Sequence, residues 1–387
     1  MVSKRGIGIV GTNWAARGHL PAWRMLPDRC EPLAICTTGL STAEPAAEQL
    51  GLSRAYGNFD AMLADPDIEI VSLGAPPPAR TEMTLKAIAA GKHVFSCIPF
   101  AVTAADAHRM ADAAADAAII GALDAYFMWT PAYSYLKDLI DDDFLGDLYA
   151  VNVDFSMAQA VMPPSNYPYR WTGLAMNGTG VLPNSCSHVF HTLLHLFGPI
   201  SEVIGESRIS NRLWTFEDGS TQRPEVADTA VLMAKLAGGA LVNVHAGRAV
   251  PTATGLTITA YGSRGRLTAR SPAYPLDRNV TITAAKPARL FEGAEELLEI
   301  PSHYFTVPSG RPECDDDAPA AISLGRLFAN MLDAVDGRGK PLPDFQRGAH
   351  VQDLVEAIER SQAERRWQTV APCALFTVQP KTPGEAK

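Results

Sequence analysis

Up to residue 123 the chain switches at short, regular intervals between apolar runs and helical periodicity, and this alternation constrains its fold more than any other feature. Gly6-Ile7-Gly8-Ile9-Val10 is a compact apolar run stopped by Gly11, the pattern of a strand buried on both faces. A helical segment at 15–25 follows. Residues 33–36 are strand-like, 41–50 helix-like, 68–73 strand-like, and 81–90 an alanine-rich helix closed by Gly91. A strand at 93–95, a helix at 104–117 behind the start signal Thr103-x-x-Asp106, and a strand at 119–123 complete the series. Such alternation predicts a parallel sheet wound with helices on both faces.

Beyond about residue 145 the grammar changes. Longer alternating strands are predicted at 148–157, 229–236 and 241–245, the last two joined by the hairpin signal Gly238-Gly239, with two more at 256–261 and 265–269. A helix at 351–365 precedes a Pro-rich tail ending at Lys387. The expected fold class is therefore α/β: a doubly wound parallel-sheet domain at 1–124, then an α+β domain at 125–387 with a large, mostly antiparallel open sheet.

With 387 residues, 47% hydrophobic and 19% charged, the chain is long enough for two domains and too apolar to be disordered. A net charge of -9 disfavours a nucleic acid or an anionic membrane as partner. Six cysteines (Cys30, Cys36, Cys97, Cys186, Cys314, Cys373) lack the paired spacing of a structural zinc site or thiol redox motif. No run reaches the roughly 20 apolar residues of a membrane span. The expectation is a soluble, cytoplasmic protein with reduced thiols, and Asp315-Asp316-Asp317 is read as a solvated loop.

Gly11-Thr12-Asn13-Trp14-Ala15-Ala16 stands where a dinucleotide fingerprint belongs, directly after the first strand and opening the first helix. The first glycine permits the tight turn, a small last residue lets helix pack on strand, and the helix N-terminus faces the pyrophosphate. Asn13 replaces the middle glycine and is expected to keep the turn by tolerating left-handed backbone. The loop after the second strand, Cys36-Thr37-Thr38-Gly39-Leu40-Ser41, carries no carboxylate to repel a ribose 2'-phosphate and no arginine to hold one. Its hydroxyls favour NADP over NAD as the cofactor.

Gly11-Thr12, His19-Leu20-Pro21-Ala22, Gly91-Lys92-His93-Val94, the segment 178–188 and the closing helix to Trp367 together resemble the glucose-fructose oxidoreductase, inositol dehydrogenase and MocA family. The fingerprint, the Thr37 loop and the stretch 226–267 look nearest the branch containing the fungal galactose-regulon repressor. The resemblance implies a Rossmann domain carrying a sheet-forming substrate domain, and a homodimer or homotetramer through that sheet. It also implies a nicotinamide site in which a Glu-Lys-Pro motif offers its lysine to cofactor and substrate. Here the matching residues are Cys97-Ile98-Pro99. An isoleucine donates no hydrogen bond and stabilises no developing alkoxide.

A second family motif places an aspartate four residues before a histidine. The matches are Asn184 and His188. His188 is the candidate proton donor or acceptor, and Asn184 is expected to orient it without lending charge. His191 and His195 share its helix face, but His195 would lie roughly 10 Å along the axis from His188, too far to share one ion, so no metal is expected. His191 is placed at the substrate side of the interface.

The resemblance extends the candidate sites. Ala75, Pro76 and Pro78, from the proline loop after the third predicted strand, join Gly11, Thr12, Asn13, Trp14, Ala15, Thr37, Thr38, Cys97, Ile98, Pro99 and Trp171 as cofactor contacts. Arg80 either reaches phosphate or caps its helix. Aromatic residues cluster at Tyr126, Phe127 and Trp129 and at Tyr167, Tyr169 and Trp171. Ile98, Phe127, Tyr169, Arg170, Trp171, His188 and His191 are the candidate substrate contacts, with Tyr126, Tyr169 or Arg170 as substitutes for the lysine. The leading expectation is an NAD(P)-dependent oxidoreductase moving hydride to or from a hydroxyl or carbonyl carbon of a small, partly apolar or sugar-like substrate. Loss of both lysine and aspartate keeps open a non-catalytic dinucleotide-binding sensor or regulator, and a redox-neutral lyase, epimerase or glycosidase that recycles its cofactor.

Overall fold

The computed structural model describes residues 4–163, 169–289, 293–308, 310–311 and 318–372. Six strands among the described residues form a parallel sheet, all but β3 from the alternating apolar runs: β1 (Arg5–Val10), β2 (Cys30–Cys36), β3 (Arg54–Tyr56), β4 (Ile70–Leu73), β5 (His93–Ser96) and β6 (Gly121–Leu123). Their order is β3-β2-β1-β4-β5-β6, which reverses between β1 and β4, the place where such sheets bind ligands at the carboxyl ends of their strands. Sequence periodicity does not reveal β3, because a three-residue, half-buried edge strand has no continuous apolar run. The helix Pro77–Ala89 begins four residues before its alanine-rich stretch, since proline suits the first helical turn yet gives no apolar signal. Thr103 caps the helix Ala104–Asp116 as expected, its hydroxyl accepting from the Asp106 N–H at 3.1 Å.

The second sheet has nine strands: β7 (Leu148–Ser156), β8 (Ile200–Arg208), β11 (Thr229–Leu236), β12 (Leu241–Gly247), β13 (Gly255–Gly262), β14 (Arg266–Ser271), β15 (Thr281–Ala285), β16 (Glu296–Leu298) and β17 (Gln368–Thr369). The short strands β9 (Trp214–Thr215) and β10 (Thr221–Gln222) form a separate ribbon. The nine run in the order β16-β15-β14-β13-β7-β12-β11-β8-β17, and every pair is antiparallel except β7 with β12. Gly239, with φ 92°, turns the hairpin between β11 and β12. The sequence does not announce β8, whose Ser201, Glu202 and Glu206 break its apolar alternation.

One face of this sheet supplies Val151, Val153 and Leu232 to a core shared with Val189, Phe190 and Leu193 of the helix Ser187–Phe197. On the other face Val231, Met233 and Leu241 stay half or more exposed. The long helix Phe345–Glu364 starts six residues before its predicted N-terminus because Asp344 caps it, accepting from the Arg347 N–H at 2.8 Å. It packs against both β8 and the helix Ala104–Asp116, and the Leu123 N–H donates to the Pro343 carbonyl at 3.0 Å. The two sheets are thereby tied together around the end of β6.

No helix among the described residues is long and apolar enough to cross a membrane. Cys30, Cys36, Cys97 and Cys186 are free and buried. Tyr167, Cys314, Asp315-Asp316-Asp317, Cys373 and the tail lie outside the described residues.

Candidate active site

Gly11 ends β1 with φ 96°, a conformation that costs glycine nothing, and its N–H donates to the Cys36 carbonyl at 3.0 Å. The left-handed backbone expected at Asn13 is not there. Asn13 instead opens the following helical turn, its carbonyl accepting from the Arg17 N–H at 2.8 Å, so one glycine suffices for the reversal. Ala15 lies under Gly74, where an added Cβ would come within 2.7 Å of the alanine methyl. That close packing of helix on strand is what the fingerprint's small residues serve.

Beside this turn lies a cavity of about 710 Å³ lined by Gly11, Thr12, Thr37, Thr38, Ala75 and Pro76 together with Asn58 and Asp60. Its size and its position at the switch point suit the adenosine and pyrophosphate of a dinucleotide. Among the described residues, no lysine or arginine lines it. Asp60 is paired with Lys86 at 2.9 Å, and the Thr37 hydroxyl is taken up by the Gly39 carbonyl at 2.9 Å and Thr42 Oγ1 at 2.6 Å. Asn13, Trp14, Ala15, Pro78, Cys97, Ile98, Pro99 and Trp171 are not part of this lining. Arg80 is buried and is not among the residues lining the cavity. Its guanidinium donates to the carbonyls of Ala75, Cys97 and Pro99, bracing the loops after β4 and β5 against each other.

At the end of the parallel strands, Asp124 gathers a polar knot. Trp14 Nε1 donates to its Oδ2 at 2.5 Å, and His19 Nε2 lies 3.2 Å from the same oxygen. The Ser72 hydroxyl meets His19 Nδ1 at 2.9 Å, and Cys97 Sγ stands 3.7 Å from Nε2. Burial pulls the His19 imidazole down, but Cys97 and Asp124 outweigh it and raise the group to about 9. Trp14 in turn stacks on Tyr126, with centroids 6.1 Å apart.

His188 sits in the first turn of the helix Ser187–Phe197 and faces these aromatics. Its ring lies on Phe127 at 4.5 Å, with Tyr274 at 5.9 Å and Tyr126 at 6.0 Å presenting edges. Burial holds the imidazole at about 4 against the opposing charge of Asp124, so it is neutral at ordinary pH. Nδ1 is buried without a hydrogen-bond partner. The expected bond from Asn184 is therefore absent. Asn184 belongs to a π-type turn, Leu182–Cys186, closed by the Cys186 N–H on the Val181 carbonyl at 2.9 Å. Ring packing orients His188 instead.

Residues 5–121 match an oxidoreductase family with an NAD-binding Rossmann fold, and residues 133–268 match the C-terminal domain of the same GFO/IDH/MocA group. The chain belongs to the GFO/IDH/MocA oxidoreductase family. It is 24% identical over 380 residues to an uncharacterized oxidoreductase of Synechocystis, covering 94% of this chain and 95% of that one. Levoglucosan dehydrogenase of Pseudarthrobacter phenanthrenivorans is 22% identical over 396 residues, covering 94% and 97%. Among solved structures, levoglucosan dehydrogenase in complex with NADH and levoglucosan superposes with TM-score 0.83 at 20% identity, over 95% of this chain and all of the other. The Saccharomyces cerevisiae Gal80p super-repressor mutant gives TM-score 0.81 at 16% identity, over 95% and 98%.

Within this GFO/IDH/MocA member, Ile98, which the resemblance sets against a family lysine, is partly exposed. Arg170 does not take over that role from where it stands. It pairs with Asp218 at 3.3 Å, bonds Ser220 and lies over the Phe216 ring at 4.1 Å, all in the β9-β10 region. Tyr126 is buried, and burial first, then the charges of Tyr274, Asp124 and Asp277, push its phenol well above the ordinary value, making it a poor proton source. Phe127 is fully buried behind His188 and offers it a stacking surface. Trp171 is half-buried, its carbonyl accepting from Asn177 Nδ2 at 2.6 Å. Tyr169 enters the short helix Tyr169–Thr172, and its side chain lies outside the described residues.

His191 is buried, with its carbonyl accepting from Arg347 at 2.8 Å, which turns it toward the helix Phe345–Glu364. Together with His188 and His195 it makes no metal-ligand grouping among the described residues. The grouping found there is His19, Cys97 and Asp124. Sequence reasoning missed Asp124, Ser72 and Tyr274. Asp124 could have been noticed as the charged residue that ends β6, but Tyr274 has no local signal, being brought in by the fold from beyond β14.

Proposed function

We propose that this protein is an NAD-dependent dehydrogenase or reductase acting on a CH–OH or C=O carbon of a small ring compound of the sugar or anhydrosugar class. The carrying observation is the neutral, buried imidazole of His188, held by Phe127, Tyr126 and Tyr274 across from the carboxyl ends of the parallel strands. A neutral imidazole is a proton acceptor, which is what removing hydride from an alcohol carbon requires of its hydroxyl. The cavity beside Gly11 fits a dinucleotide, with Thr12 and the fingerprint turn at the pyrophosphate and Thr37, Thr38 and Pro76 around the adenosine. When bound, the nicotinamide supplies the hydride acceptor or donor. NAD is preferred in this reading over the NADP favoured by the loop's hydroxyls, because none of the described residues lining the cavity is a cation that could receive a 2'-phosphate.

Without the family lysine, the wall offered to a substrate is less polar, with Ile98 and the aromatic residues in place of a charged donor. That supports a ring with an apolar side beside its hydroxyl. The named activity of the levoglucosan dehydrogenase relatives supports the same class. A second copy of the chain is the proposed cover for the sheet face bearing Val231, Met233 and Leu241. The test is absorbance of reduced nicotinamide with a panel of anhydrosugars, sugars and cyclic alcohols. Steady change with at least one ring alcohol is expected; tight NADH binding with no turnover of any compound overturns the enzymatic reading in favour of a regulator.

A further inference from the structure

Three buried side chains that the proposed reaction leaves without a task converge at the carboxyl ends of β5 and β6. His19 comes from the π-type turn after β1, Cys97 follows β5, and Asp124 follows β6. Their ligand atoms all lie within 4.8 Å of one another. His19 Nε2 is 3.2 Å from Asp124 Oδ2 and 3.7 Å from Cys97 Sγ. Tetrahedral zinc with ordinary bond lengths separates a nitrogen and an oxygen ligand by roughly 3.3 Å and a nitrogen and a sulfur by roughly 3.6 Å. The observed spacings match both.

The surroundings point the same way. A ligating histidine usually has its other ring nitrogen fixed by a partner, and Ser72 Oγ occupies that place at 2.9 Å from Nδ1. Trp14 Nε1 steadies one carboxylate oxygen of Asp124. The other, Oδ1, is buried and has no hydrogen-bond partner among the described residues, a costly position that a carboxylate chelating the same ion through both oxygens would relieve. We propose that His19, Cys97 and Asp124 bind one zinc-class divalent cation. Thiolate, imidazole and carboxylate together suit Zn²⁺ or Co²⁺ and not Mg²⁺ or Ca²⁺, whose ligands are oxygens. Two anionic ligands balance the ion's charge in a buried place, and three protein ligands leave one coordination position open.

The inference stands independently of the substrate, so its test uses no turnover. The full chain is stripped with a chelator, reloaded with limiting Zn²⁺ or Co²⁺, and its metal content measured by plasma mass spectrometry alongside the cobalt absorption spectrum. One equivalent per chain is expected, with a thiolate-to-cobalt charge-transfer band that disappears in Cys97→Ser and persists in Cys186→Ser. Ser72→Ala should weaken Zn²⁺ binding by about 10- to 100-fold. Sub-stoichiometric uptake at micromolar Zn²⁺, or a cobalt spectrum without a thiolate band in the wild-type chain, overturns the proposal even if Cys97→Ser fails to fold. A band that survives in folded Cys97→Ser overturns it as well.

Discussion

The imidazole of His188 lies nearly flat on the ring of Phe127, with centroids 4.5 Å apart and planes 21° from parallel. This contact does the orienting that a hydrogen bond from Asn184 was expected to do, and it also dries the ring. Removing the proton acceptor should lower turnover without much effect on cofactor binding. His188→Ala is expected to reduce kcat/KM for the alcohol by about 10²- to 10⁴-fold while the NADH dissociation constant, read by fluorescence titration, stays put. Unchanged turnover would remove His188 from the reaction.

Because orientation comes from packing, Asn184 and Phe127 should differ sharply as targets. Asn184→Ala is expected to leave kcat nearly intact, whereas Phe127→Leu keeps the site apolar but loses the stacking surface and should depress kcat. Steady-state kinetics with circular dichroism of both variants decides this. A severe kcat loss in Asn184→Ala with a native spectrum would show that the amide, not the ring stack, positions the base.

The pH profile follows from the same burial. With its imidazole at about 4, His188 remains a competent acceptor far below the 6.5 of an exposed histidine. In the oxidising direction the acid limb of kcat/KM is therefore expected near pH 4, not near 6.5. Initial rates in overlapping buffers locate it, and a limb at 6.5 that vanishes in a folded variant of another histidine would assign the proton elsewhere.

How much of this could be read from the chain depended on whether the signal was local. The parallel sheet was legible because each buried strand is a continuous apolar run and each helix repeats its own period, as at β1 and in the helix Ala104–Asp116. Gly11 was legible as a turn that needs φ above zero. β8 was not, because a strand with one open face and several charged residues resembles a loop. The environment of His188 was legible only in part. Phe127 and Tyr126 stand in one aromatic cluster, but Tyr274 arrives by tertiary packing, and the π-type turn that holds Asn184 has no sequence signature. Asp124, His19 and Cys97 are separated by up to 105 positions, and only the sheet's strand order brings them together.

Ile98 offers a test of specificity. It stands partly exposed where related enzymes are expected to carry lysine, and an ammonium there would donate to a substrate hydroxyl and stabilise negative charge on its oxygen. Ile98→Lys should raise turnover of polyols relative to less polar ring alcohols, measured as a ratio of kcat/KM values. An unchanged ratio in a folded variant would mean that position 98 does not meet the substrate.

The cavity lining sets a preference between dinucleotides. A 2'-phosphate held without a cation is a charge left poorly paired, at a cost of about 1–3 kcal/mol, which is roughly tenfold to a hundredfold in affinity. NADH should therefore bind more tightly than NADPH by that factor, and Thr38→Arg should narrow the gap by supplying a guanidinium at the rim. Calorimetric titration of both cofactors checks it, and equal affinities in the wild-type chain would show that the phosphate points away from this lining.

Buried histidines also make stability depend on pH. Burial lowers His188 to about 4, His195 to about 3 and His191 well below 6.5, with Arg347 adding to the last two. Between 6.5 and those values the unfolded chain holds protons that the folded one refuses, so stability falls as pH drops through that window, on the order of 1.4 kcal/mol per pH unit for each group. Urea unfolding across pH should therefore show stability falling on the acid side of 6.5. His191→Phe is expected to flatten that fall, because a ring of similar shape takes no proton there. If the variant keeps the wild-type profile, the titrating groups lie elsewhere in the chain.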